Sequence, residues 1–485
     1  MVEAGWTVEL AIIGAGPAGM AAAVAASESG VECLVVDECT EPGGRIYSGL
    51  ASRTGSEGLF GDDYVRGREL MEAFRASGAR QAMPARLWEI DSEGHLLISS
   101  EGRSSRIAAR RVILATGAQE RPMPLPGWTL PGVMTAGGAQ ILYKREGLVP
   151  EGPVVLAGTG PLLFLLAWQY LRAGIKVAGV LVTSGARDVS KAAPYLPAAI
   201  VSGPLAAKGG KLVTALVAAG VRLAFGVTKI EAQGKEQLER VSYWRGTRSY
   251  SMPASVLLLH QGIVPDTRVL RRLRDPLLWD PRGRYWHAKT DDFGATGIDF
   301  LAVAGDGNRI VGAEASRLQG SLAGYDAAMR LGKIDRPERD RRTTGASRRL
   351  AAMKRERRFL DTLFAPSSGF LAPACDDTIV CRCEDVTAGA IRRAVASSIT
   401  DSNRLKTLLR CGMGPCQGRF CELTVAEMVG TMSGARPEDN PPLRIRPPLK
   451  PVDVEEFIAM AGDDEPAEAR IPIRRVAARS SVDGR

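Results

Sequence analysis

The chain has 485 residues, which is enough for two or three domains that each bury a hydrophobic core. Hydrophobic residues make up 45% of it, as in an ordinary globular protein, and no apolar run reaches the roughly 18–20 residues that span a bilayer. No basic region precedes the first apolar run, so we expect no signal peptide and a cytoplasmic protein, associated with a membrane peripherally at most. In that reducing compartment eight cysteines, several of them clustered, favour metal binding over disulfides.

The first motif along the chain is a strand–helix–strand pattern typical of a dinucleotide site. An apolar strand at residues 8–13 precedes G-x-G-x-x-G, and a second strand at 31–36 ends at an acid. The glycines allow a tight turn, close approach of a pyrophosphate and close packing of the helix, while the acid binds ribose hydroxyls. The pattern predicts a dinucleotide site on Gly14, Gly16, Gly19 and Asp37.

Three later stretches belong with this site: EPGGRIY after the acid, RVILATGAQERP at residues 111–122, and GIDFLAVAGDGNRIVGAEASRLQG, whose G-D pair is expected to open a helix. The set resembles the two-dinucleotide-domain flavoproteins, which include glutathione and thioredoxin reductases. This resemblance covers roughly residues 6–330 and implies FAD in the first site. It adds these residues to the cofactor site: Gly44, Arg45, Thr116, Gly117, Gly305 and Asp306.

A second strand–helix–strand pattern at residues 153–185 departs from the dinucleotide fingerprint. Its third glycine is replaced by Leu163, and its second strand ends at Thr183 and Ser184 instead of an acid. Both changes remove features that hold a nicotinamide dinucleotide. We therefore predict a degenerate site that is either empty or adapted to another role.

Near the C-terminus, four cysteines form two tight pairs, Cys381-x-Cys383 and Cys411-x-x-x-x-Cys416. Four thiolates in two pairs are what a [2Fe–2S] cluster requires. A four-cysteine zinc site and plain buried cysteines are the alternatives, although C-x-C is short for structural zinc, whose paired ligands usually stand two to four residues apart. The sequence predicts these four cysteines as cluster ligands.

The stretch around these cysteines predicts a small helical module at residues 371–440, called the cluster module below. A strand at 378–380 should precede Cys381, Thr387 should cap one helix, SNRLKTLLR should form another, and Cys416 should lie near the start of the helix GRFCELTVAEMV. The remaining cysteines are interpreted as structural residues without a ligand role: Cys33, Cys39, Cys375 and Cys421.

The stretch CRCEDVTAGAIRRAV…LKTLLRCGMGPCQGRFC resembles the bacterioferritin-associated-ferredoxin-like [2Fe–2S] domain. Together with ATGAQERPMPLPGWTLPGVMTAGGAQ and HQGIVPD, it gives nearly the whole chain a resemblance to the alpha subunits of bacterial opine oxidases, hydroxyproline and amino-acid dehydrogenases and the equivalent hydrogen cyanide synthase subunit. The resemblance implies a partner beta subunit built like a glycine or D-amino-acid oxidase, with its own FAD, and allows a small gamma subunit. It also implies an FMN between subunits and no catalytic residue in this chain.

These patterns predict an α/β protein with two Rossmann-like dinucleotide-binding domains, like a glutathione-reductase-type flavoprotein, plus a small C-terminal helical [2Fe–2S] domain. We expect these boundaries: a discontinuous FAD-binding domain at 1–125 and 260–330, a degenerate NAD(P)-binding-like domain at 126–259, a basic linker at 331–370, the [2Fe–2S] domain at 371–440 and a Pro-rich tail at 441–485.

The net charge of +9 comes mostly from residues 333–358, which hold eleven Lys and Arg against four Asp and Glu. Such a run could bind nucleic acid or an anionic membrane, but without interleaved aromatic residues a solvated linker helix is favoured and nucleic acid is not an expected partner. The predicted function is electron transfer within an opine or amino-acid dehydrogenase. A stand-alone NAD(P)H-dependent ferredoxin-type reductase and a redox-sensing iron–sulfur protein are the alternatives.

Overall fold

The structure, a computed structural model, describes residues 6–53, 57–201 and 204–460. Its first elements are β1 (Trp6–Ile13), α1 (Pro17–Ser27), β2 (Cys33–Val36), α2 (Asp62–Val65), α3 (Gly67–Ala76), β3 (Arg80–Ala82), β4 (Arg86–Ile90), β5 (His95–Ser100) and β6 (Arg103–Leu114). Strands β3, β2, β1 and β6 pair in parallel in that order, and β5 and β4 continue the sheet as an antiparallel meander. Buried apolar side chains fill both faces of the parallel part, as expected for strands covered by helices.

A second sheet follows. Its elements and the strands that flank it are β7 (Ala118–Glu120), β8 (Val133–Thr135), α4 (Ala136–Glu146), β9 (Val154–Thr159), α5 (Pro161–Arg172), β10 (Val177–Val182), α6 (Ala186–Ala192), α7 (Leu196–Val201), α8 (Pro204–Ala218), β11 (Arg222–Phe225), β12 (Lys229–Gln233), β13 (Arg240–Arg245), β14 (Arg248–Pro253), β15 (Val256–Gln261) and β16 (Ile263–Pro265). The parallel order is β11-β10-β9-β15-β8, and the antiparallel strands β12, β13 and β14 share a core with it. We call this unit the second dinucleotide fold.

The chain then returns to the first sheet through α9 (Arg268–Arg272), β17 (Leu277–Asp280), β18 (Tyr285–Ala288), β19 (Leu301–Val303) and α10 (Ala313–Arg330). Strand β19 pairs in parallel with β6, so the second fold is inserted between two strands of the first sheet. Helix α10 lies so close to α1 that a Cβ on Gly320 would stand 2.0 Å from the Ala18 carbonyl oxygen. The first sheet with α1, α3 and α10 is called the first dinucleotide fold.

The basic segment forms the long helix α11 (Arg336–Leu363), which lies against α10 of the first fold and against α6 and α7 of the second. Arg339 is buried and bonds to Asp326 of α10 at 2.7 Å, and Leu350 is also buried. The expected linker is therefore a packed structural helix that joins both folds, while most of its other cations face solvent.

The cluster module consists of β20 (Ile379–Cys381), β21 (Val386–Thr387), α12 (Ala388–Ala396), α13 (Ser402–Leu409) and α14 (Glu422–Ser433), followed by α15 (Val454–Met460). Strands β20 and β21 pair only with each other among the described strands, and the helices enclose a separate small core. Thr387 accepts a hydrogen bond from the Ala390 amide, which confirms the predicted cap. The predicted fold class is confirmed: two Rossmann-like folds plus a small helical module.

After the module, the chain returns to the first fold. The Leu449 amide donates to the Trp88 carbonyl at 2.7 Å, and the Leu449 side chain is buried in the core of the first sheet. The predicted Pro-rich tail is thus ordered against β4 over its first part, whereas residues 461–485 lie outside the described residues. No described helix is both long and apolar enough to cross a membrane.

Candidate functional site

The glycine turn of the first fold has no room for a side chain at two of its three glycines. Gly14 has φ of +107°, and a Cβ there would lie 2.4 Å from the Ala115 carbonyl oxygen. A Cβ on Gly19 would lie 1.8 Å from the Gly14 oxygen. Gly16, which precedes α1, meets only the Gly44 Cα at 3.9 Å, so its surroundings stay open at the helix N-terminus.

The other predicted cofactor residues belong to three further segments that lie around this turn. Gly44 has φ of +57°, and a Cβ on it would lie 2.9 Å from the Gly16 Cα. The Arg45 guanidinium donates to the Ala118 carbonyl, just beyond Thr116 and Gly117. Gly305 approaches α1, where its Cβ would lie 2.7 Å from the Ala18 Cβ. Because these glycines carry no side chain, they form a cradle in which a flavin pyrophosphate can approach the backbone closely, and a single methyl group would fill the space. These residues therefore fit FAD.

Two carboxylates hold the loops around this cradle. Asp37 accepts hydrogen bonds from the Ala15 amide at 2.6 Å and the Cys39 amide at 2.7 Å. Asp306 accepts from the Val311 and Gly312 amides at 2.7 and 2.9 Å. At the G-D pair the structure forms a short 3₁₀ helix, Gly305–Gly307, and the α-helix α10 begins at Ala313 after a loop that Asp306 holds. A carboxylate has about four lone-pair sites, so each retains capacity for a cofactor hydroxyl.

In the second fold, a histidine ring fills the corresponding position. Gly160 has φ of +130°, and a Cβ on it would lie 2.8 Å from His260 Nε2. His260 is 4% exposed, and its Nδ1 lies 2.5 Å from Glu120 Oε1. The second Glu120 oxygen accepts from the Gly137 amide at the start of α4, at 2.8 Å. The imidazole is thus fixed where a dinucleotide pyrophosphate would approach the turn.

The end of β10 is also closed. Thr183 takes the place of the ribose-binding acid, and the Ser367 hydroxyl donates to its Oγ1 at 2.7 Å. Thr159 and Ser184 share a buried hydrogen bond of 2.8 Å. The segment after α11 therefore covers this edge, and Leu163 is fully buried in the core. The two departures from the fingerprint, Leu163 and Thr183, therefore belong to a site that the protein's own side chains occupy.

The cluster module places the four predicted cysteine ligands in two contacting pairs. The thiol of Cys381 interacts with that of Cys411, and the thiol of Cys383 with that of Cys416. Gly414 fits against Cys383, where a Cβ would lie 2.3 Å from the cysteine Cβ. Hydrogen bonds from the Cys411 and Cys421 thiols and from nearby amides lower the pKa of Cys381 to about 2. The module therefore stabilises a thiolate at Cys381, the form that binds iron.

A fifth cysteine belongs to this group. Helix α14 begins at Glu422, later than predicted, and Cys421 stands at its N-terminus, fully buried beside Cys381 and Cys411. Cys421, which the sequence analysis interprets as a non-ligand, therefore lies next to two of the predicted cluster ligands. The repeated cysteine spacing in CGMGPCQGRFC was the signal that could have found it. Cys375, by contrast, is exposed on the approach to β20.

The pairing of the thiols favours one of the metal alternatives. The predicted ligands form two pairs, Cys381 with Cys411 and Cys383 with Cys416. Two pairs of thiolates suit a two-iron cluster, which takes two thiolates on each iron.

Several contacts hold the module on the flavoprotein body. Trp128 Nε1 donates to the Ile379 carbonyl at 2.7 Å. Arg284 forms a bidentate ion pair with Glu427 of α14, in which Nε donates to Oε1 at 2.7 Å. Arg271 forms an ion pair with Glu422 of the same helix. Each carboxylate is mostly buried, so these bonds specify one orientation of the module.

Comparison with known proteins agrees with this geometry. The pyridine nucleotide-disulphide oxidoreductase family model matches residues 8–332, and the BFD-like [2Fe-2S] binding domain model matches residues 379–430. The A subunit of opine oxidase from Agrobacterium tumefaciens (strain Ach5) is 40% identical over 98% of this chain and 95% of its own length. The corresponding opine oxidase protein of Rhizobium meliloti is 38% identical over 98% of this chain and 90% of its own length.

More distant relatives extend the comparison. Hydrogen cyanide synthase subunit HcnB of Pseudomonas protegens (strain DSM 19095 / LMG 27888 / CFBP 6595 / CHA0) is 31% identical over 92% of this chain and 96% of its own length. L-proline dehydrogenase from P. horikoshii shares the fold, with a TM-score of 0.66 at 20% identity over 93% of this chain and 79% of that one. The chain therefore belongs to the family of opine oxidase A subunits, as an oxidoreductase component with an FAD-binding fold and a [2Fe–2S] domain.

Proposed function

We propose that this chain is the electron-transfer subunit of a heteromeric flavin-dependent dehydrogenase that oxidises an opine or another secondary amino acid. The observation that carries the proposal is the cluster module docked on an open first dinucleotide fold, in a chain 40% identical to the A subunit of an opine oxidase. When bound, FAD supplies a two-electron acceptor and the cluster a one-electron carrier.

The residues of the chain have distinct tasks in this scheme. Gly16 and the N-terminus of α1 bind the pyrophosphate, and Asp37 receives the ribose hydroxyls. Gly44, Arg45, Thr116, Gly117, Gly305 and Asp306 are the remaining proposed cofactor residues. The cysteines hold the irons, while Trp128 and Arg284 fix the module against the body.

Oxidation of the amine is assigned to a partner. All three histidines are engaged by neighbours: His95 with Asp91 at 2.8 Å, His260 with Glu120, and His287 with the Ala288 carbonyl at 2.8 Å. None of them is held ready as a base over the first fold. We propose a beta subunit related to D-amino-acid or glycine oxidases, together with a small gamma subunit, and an FMN at a subunit interface. The proposed location is the cytoplasm, with peripheral membrane contact at most.

The filled second site argues against a stand-alone NAD(P)H-dependent reductase. His260 lies on the glycine turn, and Ser367 covers the strand end that would bind the ribose. Electrons therefore reach the flavin from the partner subunit. The basic face of α11 alone does not favour nucleic-acid sensing, since that helix is built into the body.

The experiment is co-expression of this chain with the products of neighbouring genes, followed by purification, cofactor extraction and a dye-linked substrate screen. The complex should contain FAD and iron in fixed ratio and should reduce the dye with one class of secondary amino acid. The isolated chain should be inactive with the same substrates. Rapid flavin bleaching by NADH in the isolated chain would instead establish the reductase alternative.

A further inference from the structure

The strand that leads into the Cys381-x-Cys383 pair is held by a tryptophan from the body. Trp128 lies in the connection between β7 and β8 and is 5% exposed. Its indole N–H donates to the Ile379 carbonyl, two residues before Cys381, at 2.7 Å. A hydrogen bond from a buried indole to strand backbone restricts the position of the thiols that follow.

The same indole ring also contacts the arginine that stands between the two cysteines. Arg382 stands between Cys381 and Cys383 in the chain, and its guanidinium carbon lies 5.3 Å from the centroid of the Trp128 ring. The neighbouring acids are engaged elsewhere, Glu384 with Arg410 and Asp376 with Arg392. Among the described residues, no carboxylate forms an ion pair with Arg382, whose side chain is exposed.

We propose that Trp128 is a positioning residue that holds the Arg382 cation next to the cluster and thereby raises the cluster's reduction potential. One-electron reduction of a bound cluster, with the flavin as the electron donor, would add one unit of negative charge at these cysteines. A fixed cation nearby stabilises that added charge, and net charge and hydrogen bonding are among the determinants of iron–sulfur potentials. This inference rests on the cluster assigned above. A higher reduction potential of the cluster would make electron transfer from the flavin to the cluster more favourable.

The test compares reduction potentials in the purified full-length chain with its cofactors bound. The variants are Arg382→Gln, Arg382→Lys, Trp128→Phe and Trp128→Leu. Two controls match them chemically: Arg393→Gln changes an exposed arginine of the same module, and Trp244→Phe changes a remote tryptophan that carries Lys229 at 4.4 Å. Midpoint potentials come from redox titration followed by EPR, and iron content and visible absorption show that the cluster is intact.

Arg382→Gln should reduce the equilibrium constant for cluster reduction by up to about tenfold, equal to about 59 mV for one electron. Arg382→Lys should recover most of this loss, because it restores the charge. Trp128→Leu should lower the potential although Arg382 is still present, and Trp128→Phe should lower it less, because a ring remains. Because the tryptophan acts through the arginine, combining Trp128→Leu with Arg382→Gln should add little to the arginine change alone.

An unchanged potential in Arg382→Gln with full iron content would overturn the proposal, as would equal shifts in Arg393→Gln or Trp244→Phe. If Trp128→Leu fails to fold, Trp128→Phe and the arginine variants still decide the question. The result is separate from the proposed function: a complex without amine-oxidising activity would remove that function and leave the measured potentials valid.

Discussion

The two dinucleotide folds of this chain share one backbone plan and differ in what faces the glycine turn. In the first fold Gly16 faces Gly44, another glycine, so the N-terminus of α1 stays accessible. In the second fold Gly160 faces the ring of His260, which Glu120 fixes. A residue distant in the chain, at the end of another strand, therefore decides whether such a turn is open.

Largest among the expected effects is loss of the cofactor from the open fold. Gly16→Val places a branched side chain in the cradle between Gly16 and Gly44, so we expect nearly all bound FAD to be lost. The flavin-to-protein ratio from absorbance measures this, while cluster absorption persists. The matched variant Gly160→Val should keep its FAD, and equal flavin loss in both would end the distinction between the folds.

A second prediction tests whether the cluster module is independent of the open fold. Cys383→Ser should bleach the visible cluster absorption and leave FAD bound, because the thiol stands on a separate small core. Cys375→Ser serves as the unaffected control. Since five thiols surround four ligand positions, one of the variants Cys411→Ser and Cys421→Ser should keep the cluster; loss in both would contradict this count.

Substitutions in the core of the second fold should change the stability of the protein and leave ligand binding unchanged. Leu163→Ala removes a fully buried side chain and should lower the free energy of unfolding by about 2–5 kcal/mol. Urea denaturation measures this, and FAD content should be unchanged. Leu165→Ala, at a partly exposed position of the same helix, should cost less. Tighter NADH binding after Leu163→Ala, with stability unchanged, would contradict this interpretation.

The smallest expected effect is a gain in dinucleotide affinity when the His260 side chain is removed from the second fold. His260→Ala vacates the space over Gly160, so binding of ADP-ribose should tighten by about tenfold, or about 1.4 kcal/mol. Titration calorimetry compares it with the native chain and with His287→Ala, which alters a histidine on β18. The gain stays small because no acid replaces Thr183. Equal affinity in the native chain and His260→Ala would show that the ring is no obstacle.

Much of the fold and the first site followed from local patterns. The glycine fingerprint, the second strand and Asp37 predicted a geometry that depends on neighbours close in the chain, and the structure places them as expected. The helix SNRLKTLL and the Thr387 cap were equally local. Short-range hydrogen bonding and hydrophobic periodicity determine such features, so a single sequence is sufficient to predict them.

Some features that the sequence interpretation missed depend on contacts between different elements. The basic segment is a packed helix because Arg339 bonds to Asp326 of α10. Cys421 lies beside Cys381, from which two helices separate it in the chain, although the repeated cysteine spacing in CGMGPCQGRFC was a local signal for it. The start of α10 has a local cause, because Asp306 accepts hydrogen bonds from the two backbone amides that directly precede this helix.

The cofactor classes are readable from the chain alone, because glycines at fixed spacing permit a pyrophosphate turn and paired cysteines supply thiolates to iron. Which turn is open depends on the folded molecule, since the Gly44 and His260 partners come from other segments. The docking of the cluster module on the body likewise depends on Trp128 and Arg284. Burial and hydrogen bonding between distant segments exist only after the chain has folded, so no local pattern contains them.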